Sequence, residues 1–175
     1  MEANDRVTLV VPSPIGPLTL TAEEGALVAI DFGAPVGFAH GAGATGSANG
    51  LDPAQDDPTD RVLAEAARQL AAYFTGELRQ FDLPLCPSGT PFQLTVWEAL
   101  RRIPYGDTVT YGELARSIGR PTAARAVGGA NHRNPLAIVV PCHRVIGADG
   151  TLTGYAGGLG IKTALLGIEA GQLHH

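Results

Sequence analysis

Ile138-Val139-Val140-Pro141-Cys142-His143-Arg144-Val145 is an apolar run that stops at a proline and hands over to a cysteine and a histidine. It predicts a strand that delivers a nucleophile. Pro141 has no N–H to give a sheet ladder and fixes its own φ, so the sheet has a reason to end there. The thiolate is the reactive form of cysteine, and an adjoining imidazole can take the thiol proton or stabilise the anion. Successive strand residues point to opposite faces, so Cys142 and His143 cooperate only if the chain turns at this point. A cysteine taken alone is more often a buried, inert thiol; the surrounding sequence favours chemistry.

Upstream, Tyr111 to Ile118, the break Gly119-Arg120-Pro121 and Thr122 to Asn131 read as two short helices joined by a tight turn, a helix-turn-helix. The second helix is mostly Ala, Val and Gly, with Arg125 its one long polar group. It suits close approach to a nucleic acid better than the reading of base edges. Before it, Thr90-Pro91 caps a helix whose apolar stripe is Phe92, Val96, Ala99, Leu100 and Ile103, ended by Pro104, with Trp97 and Glu98 on other faces. Downstream, Asp149-Gly150 marks a turn, and Gly154 to Gly160 is too glycine-rich for regular structure and leaves room for a flat base against backbone. A last helix spans Ile161 to Glu169, with Glu169 at its unfavourable end for a carboxylate. On sequence alone Glu169 is a solvated surface residue, Arg125 an ion-pair partner and Tyr111 a packing residue at a helix start.

Ala-Ala-Arg-Ala-Val-Gly-Gly-Ala-Asn at 123–131, Pro-Cys-His-Arg-Val at 141–145 and Gly-Tyr-Ala-Gly-Gly at 154–158 together resemble the O6-alkylguanine-DNA alkyltransferase family. The match is nearly gapless from about Thr90 to Glu169 and weaker before that. The resemblance implies transfer of an alkyl group from O6 of guanine, and less well O4 of thymine, in duplex DNA to Cys142. A thioether has no good leaving group, so the protein would act once. The target atom lies inside the duplex, so the nucleotide must be flipped out.

By the same match, His143 takes the thiol proton through a water, Glu169 orients His143, and Tyr155 or nearby backbone donors serve the departing guanine. Asn134 braces the recognition helix against the active-site turn. The helix bearing Ala124, Ala126 and Gly128 enters the minor groove, Arg125 fills the space of the extruded nucleotide, Tyr111 crowds the neighbouring phosphate, and Arg144 belongs with the DNA-binding residues. Ala156 lacks a hydroxyl where some relatives place a serine. No metal, redox or nucleotide cofactor is expected. The partner is double-stranded DNA containing alkylated bases, bound by a monomer, with cooperativity on DNA left open. A non-catalytic lesion binder of the same fold is the alternative, but such relatives lack the cysteine; a plain helix-turn-helix regulator fits the nearly featureless second helix poorly.

The first half differs in character. Val7 to Val11, Leu18 to Thr21 and Leu27 to Phe32 are β-prone runs separated by turn residues, a small antiparallel meander. Gly33 to Gly50 is expected to be a mobile loop. Thr59 is the expected cap of a helix carrying Val62, Leu63, Ala66, Ala67, Leu70, Tyr73 and Phe74 toward that meander, with Gly76 just past its end. The expected organisation is α/β (α+β). An N-terminal sheet-plus-helix domain spans 1–82 and a connection 83–90. A mostly helical C-terminal domain spans 91–175 and holds the helix-turn-helix and active-site cysteine.

Charge divides the same way. Residues 1–82 carry four basic and twelve acidic side chains, a net −8, whereas residues 83–175 carry eight and five, a net +3. Seven arginines (101, 102, 116, 120, 125, 133 and 144) against Asp107 and Glu113 make residues 101–145 suited to a phosphate backbone. No apolar run reaches the roughly 20 residues of a membrane span, and the N-terminus lacks a basic-then-apolar leader, so a cytoplasmic protein is expected. Cys86 and Cys142 are then a reduced pair, and Cys86 has no neighbouring histidine and is read as inert. The closing His174-His175 carries no weight.

Overall fold

Leu18 to Ala22 are buried without interruption, as a central strand covered on both faces must be. This strand, β2 (Leu18–Glu23), lies between β1 (Val7–Val11) and β3 (Ala26–Phe32) in an antiparallel sheet, part of the computed structural model, which describes residues 6–35 and 57–171. Glu24 and Gly25 both take positive φ, the conformation that joins two twisted strands by a two-residue hairpin turn. Helix α1 (Pro58–Phe74) covers the sheet with Val62, Leu63, Ala66, Leu70, Tyr73 and Phe74. Its cap is Asp57, not Thr59. The residue before a proline is driven into the extended region, so with Pro58 opening the helix, Asp57 is the natural capping position, and its carboxylate accepts from Thr59 N at 2.7 Å. Thr59 turns outward from its own helix: its Oγ1 accepts from Gly25 N at 3.1 Å and ties α1 to the hairpin.

The stretch after α1 is structured from its start. Gln69 exchanges two hydrogen bonds with the backbone of Asp82, both at 2.9 Å, and Leu85 forms a β-bridge beside Leu27. Cys86 is exposed. The chain divides into two compact units between Pro87 and Ser88. Most of the glycine-rich 33–50 stretch, from residue 36 on, and His174-His175 lie outside the described residues.

The second unit begins at helix α2 (Pro91–Arg101), where Thr90 and Gln93 form a reciprocal capping box. Trp97 is not on an outer face: it is 3% exposed, and its indole N–H donates to Ala130 O at 2.8 Å. The helix packs on two sides, whereas Phe92, counted into the stripe, is only half-buried under the guanidinium of Arg120. Helices α3 (Tyr111–Ser117) and α4 (Ala124–His132) meet through a turn at Gly119, whose φ is +73°. Strand β4 (Val109–Thr110) runs parallel to β5 (Val145–Ile146), and α5 (Leu159–Glu169) closes the unit.

The strand expected to end at Cys142 is absent. Leu136 to Val140 are buried, but their backbone folds back on itself: Val139 N donates to Ala137 O, Val140 N to Leu136 O and Cys142 N to Val140 O, at 2.8–2.9 Å. Ile138 sits at φ +74°, an unusual place for a β-branched residue. Cys142 to Arg144 then form one 3-10 turn, and strand geometry starts only at Val145. A short apolar run records burial, and burial alone does not distinguish a strand from a coiled buried segment.

Candidate active site

Cys142 follows Pro141 at the start of the 3-10 turn and is 5% exposed. Burial pushes its thiol above the usual value, against hydrogen bonds from the Asn134 and Tyr155 side chains and the positive charge of Lys162. The resting group at neutral pH is therefore a thiol that needs a base. Asn134 shapes the turn as well: its Nδ2 donates to Val140 O at 2.7 Å and its Oδ1 accepts from Leu136 N at 2.9 Å. Asn131, in the last turn of α4, donates to Cys142 O at 3.4 Å. The two asparagines thus connect the end of α4 to the backbone around the cysteine.

His143 is completely buried, and its Nε2 lies 2.7 Å from Glu169 Oε1. Burial would raise the Glu169 carboxyl, but hydrogen bonds from His143 and Arg144 hold it down at about 2. A carboxylate only accepts, so the proton of the neutral imidazole sits on Nε2 and Nδ1 presents its lone pair. Nδ1 is buried and has no protein partner among the described residues. Burial also lowers the His143 pKa, against the raising effect of Glu169, so the imidazole is neutral at pH 7 and able to accept a proton. Its carboxylate partner then stabilises the resulting cation.

Arg144, expected among the DNA-binding residues, turns inward. It is 6% exposed; its Nε and one terminal nitrogen grip Glu169 at 2.8 Å each, and the other donates to Ile103 O at 2.7 Å. Each of the three guanidinium nitrogens has an internal partner, and the buried group has little surface to offer a phosphate. Sequence adjacency to six exposed arginines hid this, because a basic stretch gives no sign of which member turns inward. Arg101, Arg102, Arg116, Arg120, Arg125 and Arg133 are exposed.

On α4, Arg125 and Ala126 are exposed, while Ala124 and Gly128 are half-buried. Tyr111, first residue of α3, lays its ring against Gly128, where an added Cβ would sit 3.7 Å from Cδ1 and Cε1. Tyr155 is buried near the thiol; burial, then the neighbouring Cys142, pushes its phenol well above the usual value, so it is a neutral donor. Ala156 is exposed beside it.

Family models cover almost all of this chain: "6-O-methylguanine DNA methyltransferase, ribonuclease-like domain" matches residues 7–87 and "6-O-methylguanine DNA methyltransferase, DNA binding domain" residues 91–171. A methylated-DNA–protein-cysteine methyltransferase of Methanosarcina barkeri is 51% identical over 94% of this chain and 97% of its own length. The chain belongs to the O6-methylguanine DNA methyltransferase family. A methylated-DNA–protein-cysteine methyltransferase of Mycobacterium tuberculosis is 47% identical over 91% of this chain and 89% of its own length. A crystal structure of Mycobacterium tuberculosis OGT in complex with DNA superposes with a TM-score of 0.75 at 46% identity, covering 93% of this chain and 92% of that one. The mixed α/β fold of the methyltransferase family accounts for both the sheet-plus-helix unit and the helical one.

Two residues of this methyltransferase site escaped the sequence reading. Lys162 is fully buried and donates to Val145 O at 2.6 Å and Thr153 O at 3.1 Å; Asn131 is 4% exposed. The signal for Lys162 was present, since Lys162, Leu165 and Glu169 share one face of α5 at helical spacing. Charged groups interleaved with core leucine on one stripe are rare unless paired. Among the described residues, no group of His, Cys, Asp and Glu side chains could hold a metal, and no helix is long and apolar enough to cross a membrane.

Proposed function

We propose that this chain repairs alkylated DNA by moving the alkyl group from O6 of guanine, and less readily from O4 of thymine, onto Cys142 after the nucleotide has flipped out of the duplex. The observation that carries the reading is the buried Glu169–His143 pair, its histidine next in sequence to a buried thiol. His143 Nδ1 takes the thiol proton through a water. Cys142 Sγ attacks the alkyl carbon, so an S–C bond forms as the C–O6 bond breaks, and the electron pair leaves with guanine. Tyr155 gives the departing guanine a proton, which the imidazolium of His143 makes good, while backbone N–H donors stabilise the guanine by hydrogen bonds alone. The product is a thioether, and nothing in the site regenerates the thiol, so each chain acts once. Intact-protein mass after incubation with duplex DNA carrying O6-alkylguanine tests this: one alkyl group per chain and no further turnover is the expected result, and an unchanged mass overturns it. A lesion binder without chemistry would have no use for the Glu169–His143 pair.

Flipping and chemistry separate by residue. Arg125 is exposed on a helix of small side chains, so it can occupy the gap left by the nucleotide while Tyr111 presses on the adjoining phosphate; neither touches the alkyl carbon. Arg125→Ala is expected to slow reaction with duplex DNA tens-fold or more, on the order of the few kcal/mol that unpairing demands. The same variant should react at close to the wild-type rate with free O6-alkylguanine base, and its defect should shrink with single-stranded substrate. Equal slowing of both substrates would place Arg125 in support of the pocket instead.

Binding rests on phosphates. Six exposed arginines against a recognition helix nearly free of base-reading groups predict that log affinity falls with log salt by about 0.9 for each phosphate neutralised. Titrations at several salt concentrations check this; equal affinity in low and high salt, or a strong consensus sequence, contradicts it. Binding as a monomer in the cytoplasm completes the reading.

A further inference from the structure

The segment Gly154 to Gly158 carries Tyr155 between β5 and α5, and its glycines give it little stiffness of its own. Thr153 is where that segment is fastened. Its carbonyl accepts from Lys162 Nζ at 3.1 Å, and the same buried ammonium donates to Val145 O in β5 at 2.6 Å. Val145 pairs with Val109 in β4, and β4 leads directly into Tyr111. The hydroxyl of Thr153 reaches the same place from the other side, donating to Tyr111 Oη at 3.1 Å. Tyr111 is thereby located by four supports: the β4–β5 pairing, the capping box of Thr110 and Glu113, the face of Gly128, and Thr153.

We propose that Thr153 is a positioning residue for Tyr111: it accepts Lys162 at its carbonyl and donates from its hydroxyl, so that the Tyr111 phenol is held in one orientation with its own proton directed outward to a phosphate oxygen. This rests on the reading that Tyr111 presses on the phosphate beside the lesion. The chemistry is specific. A phenol oxygen that already accepts a hydrogen bond keeps its O–H as a donor, and a phosphate can only accept. Loss of the threonine hydroxyl leaves the ring in place against Gly128 but frees the phenol to rotate.

The experiment compares Thr153→Val, Thr153→Ser, Tyr111→Phe and the double variant Thr153→Val/Tyr111→Phe. Each is assayed with O6-alkylguanine in duplex DNA and as free base, with thermal melting to confirm folding. Thr153→Val should slow the duplex reaction about 3- to 10-fold, the size of one net hydrogen bond, and the free-base reaction by less. Thr153→Ser, which keeps the hydroxyl, should restore the duplex rate. Adding Thr153→Val to Tyr111→Phe should cost nothing more, because the first acts through the second.

If Tyr111→Phe slows duplex reaction but Thr153→Val does not, or if the two effects add, the latch is overturned and the role of Tyr111 stands. If Thr153→Val slows both substrates equally, Thr153 supports the pocket and the proposal fails. If Tyr111→Phe leaves the duplex rate unchanged, both the latch and the phosphate contact beneath it fall.

Discussion

The Cys142→Ser protein is expected to gain no mass from alkylated DNA or from free O6-alkylguanine, while the native chain gains one alkyl group on Cys142 and none on Cys86. The argument is one of acidity and placement. A thiol already pushed up by burial is followed directly in the chain by a neutral imidazole. A serine hydroxyl in the same cavity is far less acidic and far less nucleophilic toward a saturated carbon, so the same base does not activate it. Cys86 is the internal control. It is exposed in the other unit, and no histidine adjoins it in the sequence. Exposure alone would make Cys86 the easier target for any free alkylating agent, so selective labelling of the buried thiol is the signature of a built site. Peptide mapping after reaction decides it: an alkyl group on Cys86, or transfer retained by the serine variant, would remove Cys142 from its role.

How far the sequence led depended on the range of the interaction. Cys142 and His143 are adjacent, so a thiol with a base next to it could be proposed from residue types alone. Glu169 was not: it lies 26 positions from His143, and only the family resemblance lifted it above a surface carboxylate. Arg144 was misplaced for the complementary reason, since its grip on Glu169 and Ile103 O is entirely tertiary. Local signals succeeded where the cause is local. The cap at Thr90 and the glycine turn between α3 and α4 follow from a few consecutive residues. They failed where two local rules competed, as at Asp57-Pro58-Thr59, where proline's restriction on its predecessor outranked a good capping threonine. The largest miss was the turn before Cys142. Its apolar residues are as buried as a central strand's, but Ile138 at positive φ and the Asn134 clamp bend the chain instead. Such a strained residue costs on the order of 1–3 kcal/mol, and here it precedes the 3-10 turn that carries Cys142 and His143.

Glu169 bonds both His143 and Arg144, and two substitutions separate its proposed part in the chemistry from its part in stability. Glu169→Gln preserves volume but leaves Arg144 as a buried cation without a counter-charge, which should cost about 3–5 kcal/mol in urea unfolding. It should also cut alkyl transfer to free base by about 100-fold or more, because His143 loses the group that fixes its tautomer and supports its cation. Arg144→Met also removes a buried partner, but the Glu169–His143 contact survives, so it should unfold more easily yet transfer alkyl groups at a rate within a few-fold of wild type when assayed cold. A loss of transfer as deep as that of the glutamine variant would mean that Arg144, and not the carboxylate, orients the base. The pH dependence provides an independent reading. A carboxyl that titrates at about 2 when folded and roughly 4.3 when unfolded stabilises the fold above the unfolded value. That contribution is lost as pH falls from there through the folded one. His143, also depressed by burial, begins to weaken the fold earlier, as pH drops below its unfolded value of about 6.5. The native unit should therefore lose stability in two stages on acidification, and Glu169→Gln should retain the stage near pH 6 while the one below pH 4.3 shrinks to what the exposed Glu113 and Asp149 carboxyls, also lowered, contribute. A native profile flat down to pH 3 would mean that neither group is held in the state that the buried relay requires.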